Sequence, residues 1–364
     1  MPFAKVTSPD SPALAELCAR LADAGAELDR SGRWPSEQLR WCGEAGVYEW
    51  FMDPRWDGQG WDDEQTVRGY LALASACLTT TFILTQRTGA CRRIAGCENE
   101  ALKERVLPGL VSGKLFATVG ISHLTTSRRH LGRPVLTAEE TATGFRLDGL
   151  SPWVTGGAAA DVTVIAATLV ESGAATERQL LIAVPRETPG FSAAEQLSLV
   201  GLSASSTGPV HLEGVEISQE WLIAGPASNV MQSGVGGNSG GYETSALAIG
   251  LARAAIQFLA AEATRRSEIQ GPLAALATEH QRLEEDLLAL VRGDAACSKE
   301  SLRQRANTFV LRATQAALSA AKGTGYVVGH PAGRWCREAL FFLVWSCPQP
   351  VAAANLCELA GILD

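Results

Sequence analysis

The chain has 364 residues and a mass of 38.4 kDa, above the ~250–300 residues at which one hydrophobic core usually stops growing, so two or three domains are expected. With 46% hydrophobic and 19% charged residues and a mean hydropathy of +0.06, the composition excludes disordered, collagen-like and coiled-coil chains. A net charge of −8 and a pI near 5.3 argue against a nucleic-acid partner, which needs a basic face; the run Arg128-Arg129 with Arg133 is too short to reverse that.

The first residues, MPFAKVTSPD, lack the basic start and apolar run of a secretory signal, and the apolar stretch Ala339 to Trp345 stops well short of a membrane span. A cytoplasmic chain without membrane insertion is therefore expected. Nine cysteines, an odd number without a C-x-x-C pair, read as reduced core residues in place of a disulfide framework or zinc site.

The first ~115 residues read as helical. Ser11 to Leu28 spaces its apolar groups at three and four, and Ser36 to Val47 repeats the pattern behind a capping serine. Turn residues follow at Asp53-Pro54 and Asp57 to Gly60. Glu64 to Leu84 reads as one long helical segment, and Ala101 to Val111 as a short helix closed by Gly113.

Near residue 116 the pattern turns to short β-branched runs: Phe116 to Val119, Phe145 to Asp148, Val162 to Thr168, Leu180 to Val184 and Val210 to Ile217, separated by Gly, Pro and Asp. Gly234 to Gly241 reads as a linker. Helical periodicity then returns over Tyr242–Arg266, His280–Arg292, Lys299–Lys322 and Arg334–Trp345, the last expected to stop at Pro348 and Pro350. The expected fold class is α+β: an N-terminal helical domain (1–115), a middle β-barrel-like domain (116–230) and a C-terminal four-helix bundle (231–364).

Single motifs say little about chemistry. Gly323-Thr-Gly-Tyr326 after a helix could cradle a phosphate or simply cap that helix. Gly234 to Gly241 lacks the Lys-Ser/Thr ending of a phosphate loop. His123, His130, His211, His280 and His330 show no metal-ligand spacing, and Ser122-His123 lacks the glycines of a nucleophile elbow.

In order, Trp153-Val-Thr-Gly-Gly157 with Ala160-Asp161, Gly190-Phe-Ser192, Gly201-Leu-Ser-Ala-Ser-Ser-Thr207, and Gly323-Thr-Gly-Tyr326 followed by Pro331, Arg334 and Arg337-Glu-Ala339 make the chain resemble the acyl-CoA dehydrogenase family along nearly its whole length. The resemblance implies FAD held between the β-domain and the C-terminal helices, with Ser122, Trp153 and Thr155 near the ring and Gly323 and Gly325 meeting a neighbouring subunit's cofactor. It also implies an acyl thioester substrate, on CoA or a carrier protein; the bundle helices, apolar on more than one face as in Ala246 to Ala261, lead to the expectation of a homodimer or homotetramer. An electron-transfer flavoprotein is admitted as redox partner.

Departures from the family pattern are as informative. Ser122 to Arg129 stands where the family carries T-E-P-x-x-G-S-D, and the diphosphate arginine aligns near Gln270, with Arg265 or Arg266 one turn earlier as substitutes. Ser346 occupies the position of the commonest catalytic glutamate and cannot act as that base. A minority register, at the start of the first C-terminal helix, is filled by Glu243, seven residues before Gly250; Glu243 is thus either the base or an acid favoured by the helix dipole. The expected activity is flavin-dependent α,β-dehydrogenation of an acyl thioester. The alternatives are a flavin-dependent monooxygenase of the same fold and a non-redox thioester-binding relic of it.

Overall fold

The computed structural model describes residues 3–125, 134–232, 241–294, 297–347 and 349–362. The basic run Arg128-Arg129 with Arg133, His130, residues 234–240 of the glycine linker and Pro348 lie outside the described residues.

Five helices come first: α1 (Pro12–Ser31), α2 (Ser36–Glu44), α3 (Asp63–Ala76), α4 (Leu78–Ala95) and α5 (Glu100–Val111). The Ser11 hydroxyl accepts from the Ala13 amide with Pro12 in the first turn, and Gly32, at φ 60°, caps the other end of α1 by donating to the Leu28 carbonyl. Asp62 and Gln65 form a reciprocal capping box on α3.

The expected single segment Glu64–Leu84 is two helices, α3 and α4, broken at Cys77, whose backbone is extended (φ −153°, ψ 104°). The break has local causes. Cys77 donates to the Leu73 carbonyl, ending α3, while its own carbonyl accepts both the amide and the hydroxyl of Thr81, starting α4. A run of three threonines supplies the hydroxyls that compete with a continuous helical ladder.

Among the described residues eight strands follow in one mixed sheet: β1 (Ala117–Gly120), then after the short helix α6 (Ser122–Thr125), β2 (Leu136–Glu140), β3 (Gly144–Thr155), β4 (Val162–Glu171), β5 (Ala174–Pro185), β6 (Phe191–Ala193), β7 (Thr207–Ser218) and β8 (Leu222–Ser228). Their order is β6-β7-β3-β2-β4-β5-β8, with β1 pairing parallel to β4. β4 is almost wholly buried, from Val162 to Leu169, as a central strand covered on both faces should be. In β3 the pairing with β7 slips between Ser151 and Val154. That bulge carries Pro152 and turns Trp153 outward, 48% exposed between buried neighbours.

The remaining helices are α7 (Tyr242–Ala263), α8 (Gln270–Arg292), α9 (Lys299–Gly325), α10 (Pro331–Ala339) and α11 (Gln349–Leu359). α7 is long and apolar enough to cross a membrane by composition, yet 67% of its apolar window is buried, against α3, α8 and α9; it is the core helix of the bundle. Gly250 lets α3 approach, since a Cβ there would stand 2.7 Å from Ala74 Cβ and 2.8 Å from the Leu71 carbonyl.

Three helix limits differ from expectation. α8 starts at Gln270, well before His280, because Pro272 in a first turn needs no intrahelical donor. The segment expected over Arg334–Trp345 is α10 followed by a 3₁₀ turn at Leu340–Leu343. Pro350, expected as a stop, is the second residue of α11, a helix absent from the expectations.

Candidate active site

A cavity of about 720 Å3 opens where α4, the first turn of α7 and residues 337–346 face the sheet. Its size suits a cofactor or substrate. The sheet side carries hydroxyls: Thr155 Oγ1 lies 3.0 Å from Thr207 Oγ1, which lies 2.8 Å from Ser205 Oγ. Thr118 on β1 donates to the Thr155 carbonyl at 2.7 Å and fixes that strand end. Ser122 and the indole of Trp153 complete this wall.

The helical side is aromatic and charged. Phe341 stacks on Trp345 with ring centroids 4.7 Å apart, and Phe82 meets both edge-on. Arg337 grips Asp29 through both terminal nitrogens and donates to the Val200 carbonyl at 3.1 Å, tying α10 to α1 and to the loop that borders the cavity.

Among the described lining residues Glu243 is the single carboxylate. It sits in the first turn of α7, one quarter exposed, with Arg92 Nη1 at 3.4 Å. Arg92 also holds Asp63 at 3.0 Å. Ser346 lines the same cavity at φ 45° and brings no carboxylate to it.

Four of the residues singled out in the sequence therefore meet: Ser122, Trp153, Thr155 and Glu243. Gly323 and Gly325 do not; they end α9 beside the exposed turn Tyr326–Val328, outside this cavity. Arg266 is taken by Glu262, Glu268 and the Ala320 carbonyl, and Arg265 is exposed; neither lines the cavity. His123, beside Ser122, is buried, which pulls its pKa down to about 4 and keeps it neutral; its Nε2 meets the Ala166 carbonyl at 2.8 Å.

Arg92, Arg93 and the Phe82–Phe341–Trp345 cluster escaped sequence reading. On α4 the arginines follow Cys91 and read as an ordinary basic helix end, a placement the dipole favours without any ligand.

Residues 13–114 match the family model described as acyl-CoA dehydrogenase, N-terminal domain. The glutaryl-CoA dehydrogenase of Desulfococcus multivorans is 23% identical over 360 residues, covering 93% of this chain and 90% of that protein. The short-chain specific acyl-CoA dehydrogenase of Mus musculus is 23% identical over 338 residues, covering 88% and 81%. The chain is an acyl-CoA dehydrogenase family member, at low identity.

The fold agrees with the family. The structure of butyryl-CoA dehydrogenase from Megasphaera elsdenii superposes with a TM-score of 0.82 at 18% identity, covering 95% of this chain and 97% of that one. For an acyl-CoA dehydrogenase relative, the implied group is a flavin, and the residues present fit one. A half-exposed indole, a linked row of hydroxyls and a buried guanidinium around one cavity suit a flat ring with a polar edge. Thr155 and Ser122 would hold that edge, with Trp153 against the ring.

Proposed function

We propose that this protein is a flavin-dependent oxidoreductase that dehydrogenates an acyl thioester, on CoA or a carrier protein, with FAD as cofactor and Glu243 as base. The observation that carries the reading is that Glu243 is the one carboxylate among the described residues of the cavity wall. The α-proton passes to a Glu243 carboxylate oxygen, and the pair left on Cα becomes the Cα=Cβ bond as hydride leaves Cβ. When bound, the flavin supplies the acceptor for that hydride.

Chain groups do the rest. The Phe341–Trp345–Phe82 cluster and Leu340 and Val344 make a dry wall for an acyl group and exclude water from the base. The exposed turn Tyr326, Val327 and Val328, at 88%, 63% and 83% exposure, supports a second copy docking beside Gly323 and Gly325, as a homodimer or homotetramer would need. An electron-transfer flavoprotein is the proposed redox partner.

Ser346 in the place of the usual glutamate favours a second reading, flavin-dependent monooxygenation, which needs no α-proton base. Anaerobic reduction of bound flavin by a panel of acyl thioesters decides between them. Under the first reading a competent thioester bleaches the flavin, Glu243→Gln slows bleaching by roughly 10²–10⁴, and Ser346→Ala leaves it unchanged. Equal rates in Glu243→Gln and the unaltered protein return Glu243 to the part of a helix-start acid.

A further inference from the structure

Arg93 is the odd member of the cavity's charges. Its side chain lines the cavity and is only 4% exposed, yet it forms no ion pair among the described residues. Nη1 donates to the Gly89 carbonyl at 2.9 Å, an oxygen one helical turn back that the α4 backbone ladder also uses, and Nε has no hydrogen-bond partner. Among the described residues the one carboxylate near enough to influence it is Glu243, and that group is engaged by Arg92, which Asp63 also holds. Burial draws the Arg93 pKa down to about 10, which still leaves it a cation at neutral pH.

A buried, unmatched cation is costly, because the water taken from it is not replaced by a partner. Among the described residues its terminal hydrogen bond is to a carbonyl already used in the ladder. Its position is specific as well. A Cβ placed on Gly89 would meet Arg93 Nη1 at 3.4 Å and Val119 Cγ1 at 3.7 Å, so the guanidinium and β1, at a point three residues before Ser122, both flank Gly89 in the wall of the same cavity. A group that arrives with negative charge, or acquires it there, would remove the mismatch.

We propose that Arg93 is the counter-charge for the bound flavin, matching the negative charge that the ring takes on when hydride arrives. The assignment rests on the flavin reading above. Hydride brings two electrons and one proton, so the accepting ring gains one negative charge. Arg93 thereby raises the ring's affinity for electrons, whereas Glu243 handles the proton and Arg92 holds Glu243; the three side chains divide the two halves of the hydrogen removed.

Three measurements on Arg93→Met, with Arg93→Lys beside it, test this. Reconstitution of the unaltered protein with FAD comes first, and failure to bind it overturns the flavin reading and this inference together. With flavin bound, Arg93→Met should bind sulfite, which adds to the ring and leaves it anionic, at least tenfold more weakly. Its midpoint potential should fall by about 30 mV for each tenfold loss, and Arg93→Lys should recover most of both. In the flavin-free protein Arg93→Met should unfold at the same or a higher temperature, since the substitution removes an unmatched charge. Unchanged sulfite affinity and potential with flavin bound overturn the inference alone, and so does a flavin-free Arg93→Met protein that unfolds at a lower temperature, which would make Arg93 structural. A third overturning result is weaker binding of a carboxylate-bearing thioester with the flavin's properties intact, which would give Arg93 to the substrate.

Discussion

Arg92 Nη1 and Glu243 meet at 3.4 Å across the seam of α4 and α7, and the same guanidinium reaches Asp63 of α3 at 3.0 Å. One side chain thus fixes the first turn of α7 against α3 and α4, and with it the direction of Glu243. Arg92→Met should slow flavin reduction by roughly 10–100-fold, as a misplaced reacting group does, less than Glu243→Gln. Single-turnover reduction at saturating thioester reads this directly. The slowing should appear in the rate at saturation rather than in the concentration dependence, and Arg92→Lys should recover part of it.

Trp153 stands half exposed because the β3 bulge turns it into the cavity, so it contributes little to the core and much of its surface is available to a ligand. Trp153→Ala should leave the thermal midpoint of the flavin-free protein nearly unchanged and weaken FAD binding by about tenfold, the worth of an aromatic contact of roughly 1.5 kcal/mol. Fluorescence titration of the flavin-free protein with FAD measures it. Equal affinity would place the ring elsewhere in the cavity.

Gly250 faces the opposite outcome. A methyl there meets Ala74 Cβ at 2.7 Å and backbone atoms of α3 at 2.8 and 3.3 Å, and backbone cannot step aside as a side-chain tip can. Gly250→Ala should therefore cost about 1–3 kcal/mol by overpacking, lowering the urea midpoint with the slope unchanged, although alanine is the better helix former.

The α, β, α order was legible because each part buries a different period: three-to-four spacing in Ser11–Leu28, β-branched runs in Val162–Thr168, then helix again in α7. Finer limits were not, wherever one residue does two jobs. Cys77 closes one helix and opens the next with no Gly or Pro to mark it, and Pro350 looks like a stop but occupies a first turn. The site was half legible. Trp153 and Thr155 come from a stretch that carries the family pattern, Ser122 from one that departs from it and Glu243 from a minority register of it, and the cavity gathers all four. Arg92 and Arg93 carry no motif; only burial separates the paired arginine from the unmatched one, and burial is a property of the packed chain.

Glu338 gives the protein a pH dependence with a definite sign. Its carboxyl is 3% exposed, with Arg334 Nε 3.7 Å away, and burial, outweighing the attraction of Arg334, pushes its pKa from 4.5 up to about 7. Below pH 4.5 the group is protonated in folded and unfolded chains alike and has no effect on the slope. Between 4.5 and about 7 the unfolded chain releases its proton while the folded one retains it, so stability falls as pH rises through that window, by an amount on the order of 3 kcal/mol when complete. Glu338→Gln cannot titrate and should lack this component. Whatever fixed cost the amide brings to Arg334, the variant should gain on the unaltered protein between pH 5 and pH 8 in urea unfolding. Parallel pH profiles for the two proteins would mean that Glu338 keeps an ordinary carboxylate pKa in the fold, with Arg334 compensating its burial in full.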